Sequence, residues 1–176
     1  AGGPGLGHLA RLLAVAENLR SDHNIQPTFV CHKSSGSIKM LARNGFPMHP
    51  HNVDMVGLNP AAVILDSKDP CENLLTDLKA GNITTVVIDR PDCLEADLIV
   101  VPCFGWQAGR ESEKLFGGSE FQLLRGDILK LRPPSPPEAG EGIVVSFGGE
   151  DPFHLTEKTA RALAQFPGDI PTIFII

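Results

Sequence analysis

The first residues able to do chemistry form a glycine-rich segment followed at once by a histidine, Gly2-Gly3-Pro4-Gly5-Leu6-Gly7-His8. Glycines let the backbone approach a bulky anion, and the free N–H groups at a helix start favour phosphate or developing negative charge. A helix start also disfavours positive charge, which suits a neutral His8 imidazole acting as a base. The alternative is a histidine near the helix cap that makes only local hydrogen bonds.

Two better-known glycine motifs do not match this segment. The dinucleotide motif G-x-G-x-x-G, begun at Gly3, requires glycine where His8 stands. The P-loop G-x-x-x-x-G-K-[ST], begun at Gly2, meets His8-Leu9 in place of lysine and a hydroxyl residue. The spacing therefore argues against an NAD-dependent oxidoreductase and against an NTPase.

Other candidate residues lie at the ends of predicted strands, on the first helix and in a second glycine turn. Asp66 and Asp89 each end an apolar run, at the edge where parallel sheets collect ligands, although a lone aspartate there often caps a helix. Arg11 follows His8 by one helical turn and could add positive charge to a cleft or form a surface ion pair. A second glycine turn occurs in Ser146-Phe147-Gly148-Gly149-Glu150-Asp151-Pro152, where Asp151 and Pro152 could simply start a helix.

Composition and charge exclude several classes of protein. The 176 residues carry a formal net charge of -6, which is not the basic balance of a nucleic-acid-binding protein. No apolar run reaches a membrane span and no secretory signal is recognisable, so a cytoplasmic protein without a transmembrane segment is expected. The four cysteines include no C-x-x-C pair and no D-x-D occurs, so no metal site and no cofactor are predicted. His49-Pro50-His51 could chelate a metal, but a loop with two solvated histidines is the preferred interpretation.

The elements that must position these residues alternate between β-branched runs and helical stretches, which is typical of a parallel sheet with crossover helices. Apolar spacing predicts a first helix through Leu9, Leu12, Leu13, Ala16 and Leu19. Residues 46–60 give no clear pattern. The predicted strands of the first part are Pro27–Cys31, Ala61–Asp66, Thr84–Asp89 and Ala96–Val101. The other predicted helices there are Gly36–Asn44 and Cys71–Ala80, ended by Gly45 and Gly81.

A proline-rich segment predicts the domain organisation. Residues 132–142 include four prolines within five positions and read as a linker between residues 1–131 and residues 143–176. A strand over Ile143–Phe147 and a helix with Leu155, Leu163 and Phe166 on one face would then begin a second α/β unit. Both chain ends look cut, so a first strand and most of the second domain are expected to be missing. The 176 residues alone are accordingly expected to turn over substrate poorly or not at all.

Taken together, five segments resemble the UDP-sugar hydrolases of pseudaminic acid synthesis (PseG) and the related spore-coat polysaccharide proteins (SpsG), and more distantly MurG and other GT-B glycosyltransferases. The segments occur in the order found in that family and extend over nearly the whole chain: Gly5–Leu19, Val63–Ser67, Val86–Asp89, Gly117–Arg125 and Val144–Thr156.

The resemblance implies an α/β fold of the GT-B type, with two Rossmann-like domains facing a cleft. It implies that His8 is the catalytic residue near the anomeric carbon, that Gly5 and Gly7 form the loop, and that Gly148 and Gly149 approach a diphosphate. Arg11 and Asp66 complete the expected substrate-binding set. The partner would be a nucleotide sugar, with UDP as the nucleotide, used by a glycosyltransferase or a hydrolase of polysaccharide or glycan biosynthesis. The alternative is a non-catalytic protein of the same fold that binds a nucleotide sugar or an assembly partner.

Overall fold

The computed structural model describes residues 6–105, 113–135, 140, 142–147, 151, 153–166, 168 and 170–175. The described residues cluster into two compact units, one spanning Gly7–Leu129 and the other containing the residues from Lys130 onward. Gly5, Gly148 and Gly149, which the sequence singles out, lie outside the described residues.

The unit Gly7–Leu129 alternates strands with helices, as the sequence patterns predict. Its helices are α1 (Gly7–His23), α2 (Ser35–Arg43), α3 (Glu72–Ala80) and α4, Gly126–Lys130, which reaches one residue past the boundary. Its strands are β1 (Phe29–Cys31), β2 (Met48–Pro50), β3 (Ala62–Leu65), β4 (Thr84–Ile88), β5 (Leu98–Val101) and β6 (Leu115–Gly117).

All strand pairs described in this unit are parallel. Strands β1 and β2 form one sheet, and β3, β4, β5 and β6 form a second sheet in that order. In the larger sheet Leu65 of β3 lies beside Val87 of β4, so the two strands end at the same edge. Strand β2 lies in residues 46–60, for which no clear pattern was found, and the sequence patterns did not predict β6 or α4.

The core of the larger sheet lies between α3 and the strands. Its buried side chains come from α3, β4, β5, β6 and the connection between β4 and β5: Cys71, Leu75, Val87, Cys93, Ala96, Ile99, Val101 and Leu115. On α1 the buried residues are Leu9, Leu13, Ala14 and Ala16. Because these positions repeat at helical spacing, the opposite side of the first turn stays available for His8 and Arg11.

The connection from β4 to β5 departs from the expected alternation. Residues 89–97 contain no helix, although parallel strands are usually joined by a longer crossover. Turn hydrogen bonds from Cys93 N to Arg90 O and from Ala96 N to Cys93 O make the connection compact. Cys93 and Ala96 thereby fill the core positions that a crossover helix would otherwise cover.

The two predicted glycine caps, Gly45 and Gly81, differ in backbone conformation. Gly45 follows the C-cap residue Asn44 of α2 and adopts φ +68, a left-handed conformation that glycine accepts without strain. Gly81 is the C-cap of α3 but has φ -78, and Asn82 takes the left-handed conformation instead. The predicted glycines therefore lie at the ends of both helices, but the left-handed residue after α3 is Asn82, because asparagine also tolerates this conformation.

In the unit from Lys130 onward, β7 (Ile143–Ser146) and β8 (Thr172–Ile175) form a parallel pair joined through α5 (Leu155–Leu163). This strand, helix and strand arrangement is a β-α-β unit, the element from which parallel sheets are built. The linker over residues 132–142 remains a prediction. So does the assignment of residues 143–176 to a nucleotide-binding domain.

Candidate functional site

The candidate site lies where two neighbouring strands end beside the first turn of a helix. Asp66 directly follows β3, and Asp89 directly follows β4. His8 and Arg11 are three residues apart near the start of α1, so their side chains share one face of that helix. The fold therefore brings together four polar residues that are distributed over three separate segments of the sequence.

The shortest contact in this cluster joins His8 to Asp66. His8 Nδ1 lies 2.6 Å from Asp66 Oδ1, and the Asp66 side chain is only 1% exposed. Arg11 Nη2 also lies 3.1 Å from His8 Nδ1, but one ring nitrogen cannot both donate to the carboxylate and accept from the guanidinium. We assign the proton to Nδ1, because an ionised carboxylate only accepts and its contact is the shorter one.

This assignment leaves His8 Nε2 with its lone pair. The buried carboxylate fixes both the tautomer and the orientation of the ring, as a carboxylate does for the histidine of a catalytic triad. The His8 side chain is 30% exposed, so the imidazole is held by Asp66 and still partly accessible. This geometry is chemically compatible with an oriented general base.

Arg11 holds Asp66 in a side-on, bidentate ion pair. Its Nε donates to Asp66 Oδ2 at 2.9 Å, and its Nη2 donates to Asp66 Oδ1 at 2.7 Å. Partial burial by itself lowers the pKa of Arg11, but the hydrogen bonds and negative charges of Asp89 and Asp66 outweigh this effect and raise that pKa. Arg11 therefore stays charged and fixes the carboxylate that orients His8.

Asp89 completes the cluster from a strained backbone. Arg11 Nη1 donates to Asp89 Oδ2 at 3.1 Å, and Asp89 has φ +62. A left-handed conformation is uncommon for residues other than glycine, although aspartate is among those that tolerate it. Strain of this kind tends to occur at functional sites, where the surrounding structure maintains it. The Asp89 side chain is 48% exposed and is therefore far more accessible than that of Asp66.

The contacts exclude a helix-cap role for Asp66, while ligand binding by these residues stays a prediction. Asp66 accepts hydrogen bonds from His8 and Arg11, while the N-cap of the next helix is Cys71. Arg11 does form an ion pair, but its main partner is the buried Asp66 of this cluster rather than a surface residue. The charges in the cluster are two carboxylates and one guanidinium, a balance that does not favour a diphosphate.

Gly7 has no close packing neighbour among the residues that the structure describes. It is the first residue of α1, its φ does not require glycine, and a Cβ added there would meet nothing within 4 Å. Neither packing nor backbone conformation within the described chain explains a glycine at this position.

In the other unit, Asp151 acts as a helix cap. Its Oδ1 accepts from Leu155 N at 2.8 Å and its Oδ2 accepts from Thr156 N at 2.7 Å. The hydrogen bond from Thr156 N is the main reason that the pKa of Asp151 is lowered. An open groove of about 470 Å³ lies beside this cap, lined by residues that include His154, Thr156 and Phe174. The described residues that line it form no arrangement comparable to the His8 cluster.

Histidines and cysteines also approach one another elsewhere in the unit Gly7–Leu129. His32 and His51 follow β1 and β2 and stack with ring centroids 4.0 Å apart. The Cys71 and Cys93 sulfurs lie 3.3 Å apart. Sequence spacing gave no signal for either pair, because each depends on two strands or loops that meet only in the fold. Among the described residues, no group of three or more His, Cys, Asp or Glu side chains could hold a metal ion.

Comparisons with known proteins agree with the fold. No family model matches the chain. An uncharacterised protein of Methanocaldococcus jannaschii, MJ1062, is 25% identical over 179 aligned positions, which cover 90% of this chain and 37% of that protein. The crystal structure of Acinetobacter baumannii MurG matches with a TM-score of 0.58 and 14% identity, over 96% of this chain and 54% of that one. The chain thus spans about a third to a half of the length of these two proteins.

The match to MurG confirms the predicted fold class, an α/β fold of the GT-B type with parallel sheets. At 14% identity the likeness concerns the fold alone. Within the part of the chain that the structure covers, no helix is long and apolar enough to cross a membrane.

Proposed function

We propose that this chain belongs to a nucleotide-sugar enzyme of the GT-B superfamily that breaks the anomeric C–O bond of a UDP-sugar. The sugar would pass to an acceptor hydroxyl, as in a glycosyltransferase, or to water, as in the PseG-like hydrolases. The observation that carries the proposal is the 2.6 Å contact between His8 Nδ1 and Asp66, which leaves His8 Nε2 free as a base.

In the proposed reaction, an acceptor hydroxyl or a water molecule attacks the anomeric carbon. A new C–O bond forms while the bond to the diphosphate breaks, and the diphosphate leaves with the electron pair. His8 Nε2 takes the proton of the attacking oxygen, and Asp66 stabilises the imidazolium that results. Arg11 acts as a positioning residue, because it holds the Asp66 carboxylate through two hydrogen bonds.

The charge of the cluster supports the proposal that one domain supplies the base and the other binds the nucleotide. Two carboxylates and one guanidinium suit a neutral sugar and a proton transfer better than a diphosphate. In the proposal, residues 1–131 supply the base and Gly5 and Gly7 form the adjoining loop. Residues 143–176 begin the nucleotide-binding domain, where amide groups at Gly148 and Gly149 would approach the diphosphate.

The test replaces His8 by alanine in the full-length protein and measures turnover and UDP affinity on folded material. We expect turnover to fall by roughly a hundredfold or more, the scale of a lost general base, with UDP affinity nearly unchanged. The matched control is His23→Ala, since His23 lies at the exposed end of the same helix and should affect neither quantity.

Other outcomes would contradict the proposal in different ways. Equal losses of turnover and UDP affinity would place His8 on the nucleotide rather than at the reacting bond. Unchanged turnover would remove the catalytic assignment. Tight UDP-sugar binding by the unaltered protein, without any turnover, would favour a non-catalytic binding protein of the same fold.

A further inference from the structure

Two buried cysteines lie in contact although they are 22 positions apart in the chain. The Sγ atoms of Cys71 and Cys93 are separated by 3.3 Å. Both residues belong to the core cluster of the larger sheet, and their exposed fractions are 8% and 2%. Both are free thiols. A disulfide has a bond of roughly 2.0 Å, so the sulfurs need to approach by little more than 1 Å.

The two thiols sit in the segments that follow the acidic residues of the candidate site. Cys71 is the N-cap of α3 and comes five residues after Asp66. Cys93 lies in the compact connection 89–97 and comes four residues after Asp89. A covalent bond between them would therefore join the loop behind β3 to the loop behind β4.

A second contact already links the same two loops. Arg90 Nη1 donates to the backbone oxygen of Asp69 in the other loop at 3.1 Å, while Arg90 Nη2 donates to Asp92 of its own loop at 2.8 Å. These bonds are exposed and reversible, because water can replace each partner. The thiol pair lies beneath them in the core, where a bond would be protected from water.

We propose that Cys71 and Cys93 form a redox-sensitive dithiol, which a hydroperoxide closes to a disulfide that locks together the loops carrying Asp66 and Asp89. This makes the pair a modification site. The inference does not depend on the proposed sugar chemistry, because it rests only on the positions of the two sulfurs.

The reaction proceeds in two balanced steps. The sulfur of one cysteine attacks a hydroperoxide oxygen, the O–O bond breaks, and water or an alcohol leaves as the thiol becomes a sulfenic acid. The second sulfur then attacks the sulfenic sulfur, and a water molecule leaves as the S–S bond forms. The two thiols lose two electrons and two hydrogens in total, and the hydroperoxide is reduced.

Burial sets the order in which the sulfurs react. Burial raises the pKa of the Cys93 thiol, so little of its reactive thiolate is present near neutral pH. Cys71 is the more exposed of the pair and is expected to react first. Cys93 then needs only to reach a sulfur already in contact with it.

The experiment uses the Cys31→Ser/Cys103→Ser variant of the full chain, which retains only the buried pair. After treatment with hydrogen peroxide, non-reducing peptide mapping should show one Cys71–Cys93 crosslink and a mass loss of two hydrogens. We expect Tm to rise by about 10 °C, because the bond restricts the unfolded chain, and to return after reduction. Amide exchange should also slow in residues 66–72 and 89–93.

The matched control adds Cys71→Ala to the same variant, which leaves Cys93 without a partner. It should show neither the crosslink nor the rise in Tm. If this variant does not fold, the mapping of the parent variant still decides the matter. Recovery of both buried thiols unmodified, or their conversion to sulfinic acids without a crosslink, would overturn the proposal and show that the pair is only part of the core.

Discussion

Arg11 and Asp66 form a bidentate ion pair in which Nε and Nη2 lie 2.9 and 2.7 Å from the two carboxylate oxygens. The Asp66 side chain is 1% exposed, and Arg11 supplies the opposite charge that compensates for burying a carboxylate. The same carboxylate accepts from His8. One buried anion thus connects the start of α1 to the end of β3 and fixes the ring that we propose as the base.

Replacing Asp66 by asparagine tests whether this anion orients the histidine. Asp66→Asn removes the charge and offers an amide that can favour the wrong tautomer of His8, so turnover of the full-length protein should fall by about a hundredfold or more. The matched control is Asp89→Asn, which also removes a carboxylate from Arg11 but does not touch His8. Turnover measurements should show a distinctly smaller loss for the control. Similar losses in both variants would contradict the special role of Asp66.

Replacing Arg11 by lysine separates charge from geometry. Lysine keeps the positive charge but cannot make the side-on pair of hydrogen bonds, so Asp66 would be held less firmly. We expect a lower kcat with little change in KM for the nucleotide sugar, and a loss of about 1–3 kcal/mol in the free energy of unfolding. Chemical denaturation and steady-state kinetics provide the two measurements. A rise in KM with kcat unchanged would instead place Arg11 in direct contact with the substrate.

Gly7→Ala tests whether the open space beside His8 serves a ligand. A Cβ at this position meets nothing within 4 Å, and alanine suits a helix better than glycine. The free energy of unfolding should therefore stay the same or rise by up to about 1 kcal/mol. Activity should fall nevertheless, because the methyl group enters the space that the substrate needs. A variant that is both more stable and fully active would show that the space is unused.

Substitutions of Asp97 test the contacts between β4 and the start of β5, in the sheet that supports the site. Its Oδ2 accepts from the backbone N–H of Thr85 at 2.8 Å and from the Thr85 hydroxyl at 2.9 Å. Thr85 is 2% exposed, so Asp97→Ala leaves buried donors unpaired and should destabilise the protein by about 1–3 kcal/mol. Asp97→Asn keeps an acceptor and should cost less. Thermal or urea unfolding of both variants measures the difference.

The same carboxylate predicts a pH dependence of stability. The hydrogen bond from the Thr85 N–H is the main reason that the pKa of Asp97 lies below its ordinary value of 3.8. A lowered pKa in the folded state means that the contribution is fully present above the ordinary value and is lost as pH falls through the folded value. The stability difference between the wild type and Asp97→Asn should therefore shrink at acidic pH. A difference that does not vary with pH would contradict the assignment.

The sequence by itself determined the chemical inventory of this protein and much of its local structure, although not β2, β6 or α4. Apolar spacing in α1 and the β-branched runs of β3, β4 and β5 predicted these elements, because burial of one face dictates the period. The glycines before His8, and aspartates at the ends of two strands, indicated which edge of the sheet would carry polar groups. These signals are local, so a single sequence contains them.

The tertiary structure alone decided which of those groups meet. His8, Arg11, Asp66 and Asp89 lie in segments whose order in the sequence gives no distances, and only the pairing of β3 with β4 beside α1 makes Asp66 the common partner of His8 and Arg11. The short connection 89–97 and the contact between Cys71 and Cys93 are likewise products of long-range packing. Such contacts depend on the whole arrangement of the sheet and its helices, and no sequence period encodes them.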